Sequence, residues 1–216
     1  MEELRKLHNT CKRELITEWV APGSYVLDCG CGRGGDMHKW KTVPRVTVIG
    51  IDPDLSSLVE AQMRAQNSNS KMKFVGPGDI TDAVQYGPFD VVCYNFALHY
   101  IFESPILFQN SVEAIDKCVK PGGLLIGITP DKSRMRTFVD PLGNSVELEG
   151  DHALVHLSDG PFYAEGAKKE PLLDSEVFTR EMQKRGFRKV MWEPMLSRPN
   201  GLISDIYSKF VFAKSR

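Results

Sequence analysis

Val26 to Trp40 reads VLDCGCGRGGDMHKW, and no other stretch constrains the fold of this chain so strongly. An apolar run from Tyr25 to Leu27 ends in Asp28. Gly30, Gly32, Gly34 and Gly35 follow, and then a helix-like segment. Glycines let a backbone turn sharply out of a buried strand and come close to a ligand. Gly30, Gly32 and Gly35 fit the spacing G-x-G-x-x-G, which carries weight only between a strand and a helix, the context expected here. The loop therefore predicts an α/β sheet with a nucleotide-bearing cofactor where the first strand turns into a helix.

The rest of the chain fits that frame. Leu4, Leu7, Cys11, Leu15 and Trp19 fall at helical spacing, so a first helix is expected over 4–20, ended by Pro22-Gly23. Strands are expected at 25–29, 46–51, 72–75, 89–94 and 124–129. Helices are expected at 35–42, 55–66 and 105–119, with a turn at Lys120-Pro121-Gly122-Gly123. Apolar strands alternating with helices imply a parallel sheet covered on both faces. After Pro130 the pattern changes to a hairpin (145–149 and 153–157), a helix near 174–185 and a closing antiparallel pair (187–192 and 206–213), with a loop at 194–201. The expectation is a Rossmann-like, seven-stranded, mostly parallel sheet forming one domain over residues 1–216, with a substrate-side flap at about 131–170.

Three acids follow three successive strands on the edge where open α/β sheets bind ligands. Asp52, in VIGIDPD, is placed to accept from ribose hydroxyls. Asp79, in GPGDI, is placed to accept from an adenine amino group, with Ile80 against the ring. Taken singly, Asp52 and Asp79 read equally well as helix N-caps. A dehydrogenase would use the glycines and Asp52, but Asp28 precedes the glycines. An acid there suits a cationic ligand, and S-adenosylmethionine carries an ammonium and a sulfonium. Next to that cofactor's methyl group would sit His99 and Tyr100, which otherwise read as a core histidine and a packing aromatic.

At this point the sequence resembles the mRNA cap guanine-N7 methyltransferases. Their patterns VLDLGCGKGGD, QFACHYxFES and LKPGGxFIGTTP have counterparts in VLDCGCGRGGD, NFALHYIFES and VKPGGLLIGITP. Further matches are HNTCK at His8–Lys12, KEPLL at Lys169–Leu173 and IYSKFVF at Ile206–Phe212, so the likeness runs over about residues 4–214 in the family's order. The resemblance implies a class I S-adenosylmethionine-dependent enzyme that methylates N7 of the cap guanine. Lys12, Asp28, Gly30, Gly32, Asp52, Asp79, Ile80, Asn95 and Tyr100 would hold the cofactor. His99, Tyr100, Glu170 and Tyr207 would surround the guanine, Pro130 would pack on the cap, and Arg33 and Arg64 would face its triphosphate. Glu170 suits guanine because it can accept from N1–H and the 2-amino group, and His99 can donate to O6. Guanine N7 carries no proton, so no acid or base is expected; His99, Tyr100 and Glu170 would position. The departures are Arg33 for lysine, Asn95 for glutamine, Thr10 for an aromatic, and a shorter stretch before the closing strands.

Composition sets the partners. The net charge is −1 with 25% charged residues, so contact with capped RNA must come from a local basic patch, with Lys132, Arg134, Arg136, Lys168 and Lys169 as candidates. No run is long enough to span a membrane. The five cysteines read as reduced thiols, which fits cytoplasm or nucleus, or a virion or viral factory for a viral enzyme. No metal is expected: Cys29-x-Cys31 is not a zinc spacing, and His152 and His156 lie on an expected strand. The chain reads as free-standing or as a domain of a larger capping enzyme, with a stimulatory subunit or other capping domains as further partners. The rival readings are a small-molecule methyltransferase of the same fold and a silent, methyltransferase-like stimulatory subunit.

Overall fold

The computed structural model describes residues 2–68, 70–158 and 166–216. The amphipathic helix α1 (Glu2–Trp19) buries Cys11, Leu15 and Ile16. Gly23, at φ +82°, then turns the chain into β1 (Tyr25–Cys29). The chain continues through α2 (Met37–Trp40), β2 (Thr47–Ile51), α3 (Leu55–Asn67), β3 (Lys73–Val75), α4 (Ile80–Ala83) and β4 (Phe89–Asn95), then α5 (Pro105–Cys118) and β5 (Val119–Pro130). Helix α2 is a single turn, shorter than the expected 35–42, because the glycine loop stays irregular through Asp36. The expected turn at 120–123 is absorbed into β5, whose register against β4 skips from Phe89↔Val119 to Val91↔Leu124. Helix α4 and a 3-10 helix (Leu98–Glu103) were not expected from the periodicity, both being too short to show one.

The C-terminal part forms β6 (Phe138–Val139), β7 (Ser145–Glu149), β8 (His152–His156), β9 (Lys168–Pro171), α6 (Ser175–Lys184), β10 (Phe187–Pro194) and β11 (Tyr207–Lys214). The main sheet has seven strands in the order β10-β11-β5-β4-β1-β2-β3. Strands β3, β2, β1, β4 and β5 pair in parallel, and β11 runs antiparallel between β5 and β10. Chain order reverses between β1 and β4, which puts the switch point beside Gly30, on the carboxyl edge where such sheets take their ligands. Phe178, Phe210 and Phe212 are fully buried and, with Trp192, pack α6 onto the β10–β11 side of the sheet.

The flap is a second, four-stranded antiparallel sheet, β6-β7-β8-β9. The expected hairpin forms, and 168–171, expected only as a lead into the last helix, adds the fourth strand. Part of the expected flap, 159–165, lies outside the described residues. The base of the flap is tied down. The buried Asp140 carboxylate accepts from Asn144 and Leu142 and, across the chain, from the Ile203 N–H at 3.0 Å. Arg134 Nε donates to the Asp205 carbonyl at 2.9 Å, and Lys132 N–H donates to the Leu173 carbonyl at 3.0 Å.

Candidate active site

The glycine loop leaves β1 with Gly30 and Cys31 both donating to the Ile51 carbonyl, at 2.9 and 3.1 Å. Gly30, Gly32 and Gly34 have φ of +69°, +50° and +71°, a region that favours glycine. A Cβ on Gly30 would lie 2.4 Å from the Ala97 Cβ, so the loop and the chain after β4 meet through a bare backbone. Gly35 has no such need: its φ is not left-handed and a Cβ would find open space. The constrained glycines are thus the first, second and third of the run, with Gly34 rather than Gly35 the last that the geometry demands.

Beneath the loop lies a buried charge cluster. Asp28, 2% exposed, accepts from Trp40 Nε1 at 2.9 Å. Burial, reinforced by the nearby Asp36 charge, raises its carboxyl to about 7, against the pull of Trp40, Lys12 and Lys39. Asp36 is also buried. Burial opposes its ionisation, but Lys12 at 2.6 Å and Lys39 at 2.8 Å hold its carboxyl down to about 2. Asn95 Nδ2 donates to the other Asp36 oxygen at 3.0 Å. Lys12, Asp28 and Asn95 were expected in the site from the sequence, whereas Asp36 and Lys39 were missed. The signal was available: an acid ending the glycine run at a helix start, with a lysine three residues on.

On the β2–β3 side, Asp52 Oδ2 accepts from Gly32 N–H at 2.7 Å and its Oδ1 from Asp54 N–H at 2.9 Å. Asp54, not Asp52, caps α3. Asp52 therefore fixes the loop and stays at the strand edge. For Asp79 the capping reading holds: it caps α4 through Thr81 N–H at 2.7 Å, in a capping box with Asp82. Ile80 is 2% exposed and belongs to the core, so it offers an adenine ring little surface.

Opposite the loop, the structure brings together residues far apart in sequence. His99, 2% exposed, lies with Nε2 3.4 Å from Glu170 Oε2, and Tyr100 Oη donates to Glu170 Oε1 at 3.4 Å. Strand β9 delivers Glu170 with its side chain buried, on the same face as Ala153, its partner on β8. Pro130 and Tyr207 are register partners on β5 and β11. Phe96, in the left-handed region at φ +63°, packs edge-on to Tyr207 at 4.9 Å and lies 5.5 Å below the Lys12 ammonium. His8 stacks on Phe96 at 5.2 Å and reaches Ser204 Oγ at 2.9 Å; burial and then Lys12 lower its imidazole to about 4, so it is neutral near pH 7. Burial and the Glu170 charge push the Tyr207 phenol well above its ordinary value, so it stays a neutral donor. His8 and Phe96 complete an aromatic corner that was not anticipated, because neither has a sequence spacing that marks it.

Arg33 and Arg64 meet on the outer side of the loop, both paired with Glu60: Arg33 Nε is 3.2 Å from Glu60 Oε2, and Arg64 binds the other oxygen. The pair thus carries one compensated charge rather than two unopposed ones. Cys29 and Cys31 have thiols that burial pushes far up, which disfavours thiolate chemistry. No group of three or more candidate metal ligands occurs among the described residues.

A seven-stranded sheet of this order, with acids at the ends of β1 and β2 around a glycine loop, is the class I methyltransferase fold. A solved S-adenosylmethionine-dependent methyltransferase from Clostridium acetobutylicum superposes with a TM-score of 0.69, covering 98% of this chain and 92% of its own at 13% identity. Residues 1–148 match the model of the mRNA (guanine-N(7))-methyltransferase domain, and the chain belongs to that family. It is 29% identical over 182 residues to mRNA cap guanine-N(7) methyltransferase 1 of Oryza sativa subsp. japonica, covering 78% of this chain and 48% of the relative. It is 31% identical over 158 residues to the mRNA cap guanine-N(7) methyltransferase of Saccharomyces cerevisiae, covering 67% of this chain and 36% of the relative. The chain thus spans half or less of the length of these relatives, which come from a plant and a yeast rather than a virus.

Proposed function

We propose that this chain transfers a methyl group from S-adenosylmethionine to N7 of the guanine that caps mRNA, as one catalytic domain whose flap walls the guanine pocket. The observation that carries the reading is the placement of Glu170, on the flap strand β9, against His99 and Tyr100, at the carboxyl edge of the sheet that holds the glycine loop. Its carboxylate offers two acceptor oxygens, the complement of guanine N1–H and the 2-amino group, and adenine presents no such donor pair. His99 faces the O6 side as a donor. Pro130, Tyr207 and Phe96 supply apolar and aromatic surface for the base.

The residues present fit the cofactor. Asp28 is a buried carboxylate that an ammonium or sulfonium would help to ionise. Asp52 keeps acceptor capacity at the strand edge for ribose hydroxyls, Gly30 and Gly32 leave the backbone bare for close approach, and Lys12 supplies a cation for the carboxylate. Asp79 is the proposed acceptor for the adenine amino group, alongside its capping of α4, and Tyr100 lines the boundary between cofactor and guanine. When bound, S-adenosylmethionine supplies an electrophilic methyl. The protein holds the guanine in line with it and needs no general base, because N7 has a free lone pair. Orientation alone supplies several powers of ten. As the guanine becomes cationic, the Glu170 carboxylate binds it more strongly, which lowers the barrier.

Arg33 and Arg64 are the proposed triphosphate contacts, and phosphate would compete with Glu60 for them. Lys132, Arg136, Lys168 and Lys169 are the proposed path for RNA beyond the cap. No helix among the described residues is long and apolar enough to cross a membrane, and the proposed site of action is the nucleus or cytoplasm. The test is direct: incubate the protein with labelled S-adenosylmethionine and GpppN-capped RNA, digest, and identify the methylated atom. Label on 7-methylguanosine supports the reading, and label elsewhere or none refutes it.

A further inference from the structure

Lys39 has no place in the reading above, yet its environment is unusual. It is 3% exposed, on the single-turn helix α2, and it points back under the glycine loop. Its ammonium donates to the Gly35 carbonyl at 3.1 Å and pairs with Asp36 at 2.8 Å. A buried lysine is among the least common features of a protein interior, and it persists only with partners. A surface salt bridge would need no such arrangement.

Asp36 is the junction. One of its oxygens faces Lys12 from α1 and Lys39 from α2, and the other accepts from Asn95 Nδ2 at the end of β4. That last bond decides which way the Asn95 amide points. Turning the amide over would set a carbonyl oxygen against a carboxylate, so Nδ2 stays on Asp36 and Oδ1 is directed away. Oδ1 is buried and has no hydrogen-bond partner among the described residues. An unpaired buried acceptor is costly unless a ligand completes it. Asn95 lies beside the glycine loop on the carboxyl edge, one residue beyond the register pair Cys29↔Tyr94. The natural complement there is the ammonium of the cofactor's amino-acid end.

We propose that Lys39 is a positioning residue for the cofactor: from behind the loop it neutralises Asp36, and Asp36 aims Lys12 and the free Asn95 carbonyl oxygen at the two charged ends of the cofactor's amino-acid moiety. Without Lys39, Asp36 has only Lys12 for a counter-charge and draws it away from the ligand. The inference rests on the reading of this site as an S-adenosylmethionine site and adds residues that the family resemblance did not supply.

The test measures S-adenosylmethionine binding by calorimetry and separate KM values for cofactor and cap, in the wild type, Lys39→Met, Asn95→Ala and the double variant. Lys39→Met is expected to weaken cofactor binding about tenfold to a hundredfold. The KM for cap should stay within about twofold, a split that general loosening of the fold would not give. In the Asn95→Ala background the same change should cost markedly less, because part of its effect passes through that amide. Unchanged cofactor affinity in folded Lys39→Met, equal losses for cofactor and cap, or full additivity would overturn the inference. If Lys39→Met does not fold, Asn95→Ala alone decides: an unaltered cofactor affinity overturns the proposal. Wild-type protein that binds no cofactor or methylates no cap would instead defeat the functional reading beneath it.

Discussion

Cofactor affinity should depend on pH through one buried carboxyl. Burial and the Asp36 charge raise the Asp28 carboxyl to about 7. The cofactor is cationic at its sulfonium and ammonium, so it binds the ionised form, and its amino group stays protonated below pH 7. The apparent Kd is then the intrinsic value divided by the ionised fraction, a penalty of about twofold at pH 7 and about elevenfold at pH 6. Affinity should therefore fall about fivefold from pH 7 to pH 6 and about tenfold for each further unit. Binding should also release about 0.9 proton at pH 6 and about 0.5 at pH 7, read from titrations in buffers of different ionisation heat. Neighbouring groups do not mimic this: Asp36, held to about 2, stays charged, and His8, lowered to about 4, stays neutral. Asp28→Asn keeps an acceptor for Trp40 and should bind weakly at every pH, with a flat profile. A flat profile in the wild type, or the same slope in Asp28→Asn, refutes the reasoning. The sign for folding is the opposite. A carboxyl raised in the folded state favours folding fully below about pH 4, and that contribution is lost as pH rises through 7. Saturating cofactor should offset the loss in a thermal melt.

Other measurements probe separate parts of the site. Gly30→Ala combines a left-handed φ of +69° with a Cβ 2.4 Å from Ala97 and should cost about 2–5 kcal/mol in chemical denaturation; a loss below about 1 kcal/mol would show that the loop relaxes. Glu170→Gln keeps the shape but removes the charge, and kcat should drop by about a hundredfold or more while cofactor affinity holds; parallel loss of both would contradict the guanine assignment. Because Asp36 is held down to about 2, its stabilising contribution is present above about pH 4 and disappears as pH falls towards 2, so Asp36→Asn should blunt the acid limb of a pH–stability curve. If Lys169 touches RNA phosphate, Lys169→Ala should lower the slope of log K against log salt by about 0.7 for single-stranded RNA, and an unchanged slope would remove it from the path.

The parts of this molecule legible in the sequence are those written in local pattern. The starts of β1 at Tyr25, α3 at Leu55, β4 at Phe89 and α5 at Pro105 follow from apolar runs, caps and proline, and they stand where the pattern puts them. The glycine loop announces itself because left-handed φ values leave few alternatives to glycine. What failed has a common cause. The single-turn helices α2 and α4 hold too few residues for a period. Asp79 and Asp52 look alike in sequence, and only the placement of Asp54 separates a cap from a loop clasp. Lys39 falls inside the expected helix 35–42, where a lysine three residues after Asp36 marks a pair but not its depth. Its burial, beside the Gly35 carbonyl and an Asp36 shared with Lys12 of α1, is a tertiary fact that the local pattern does not carry. Glu170 was reachable only through resemblance, since β9 has a mixed KKEP sequence that no strand rule selects.

The ties at the base of the flap bear on how the molecule tolerates change. Asp140 grips the N–H of Ile203, four residues before Tyr207, and Arg134 holds the neighbouring Asp205 carbonyl. Gly150, in the turn between β7 and β8, is exposed with open space around it, but its φ of +61° favours glycine and the next residue is tied down: the Asp151 carbonyl accepts from Leu172 N–H at 3.0 Å. Insertions at that turn would leave the Asp140–Ile203 clasp intact but would pull on Leu172, two residues from Glu170. The same additions at 140–144 would pull on the strand that presents Tyr207. Engineers who wish to tether this sheet thus find open surface at the hairpin turn but little slack in its backbone, and at the root neither.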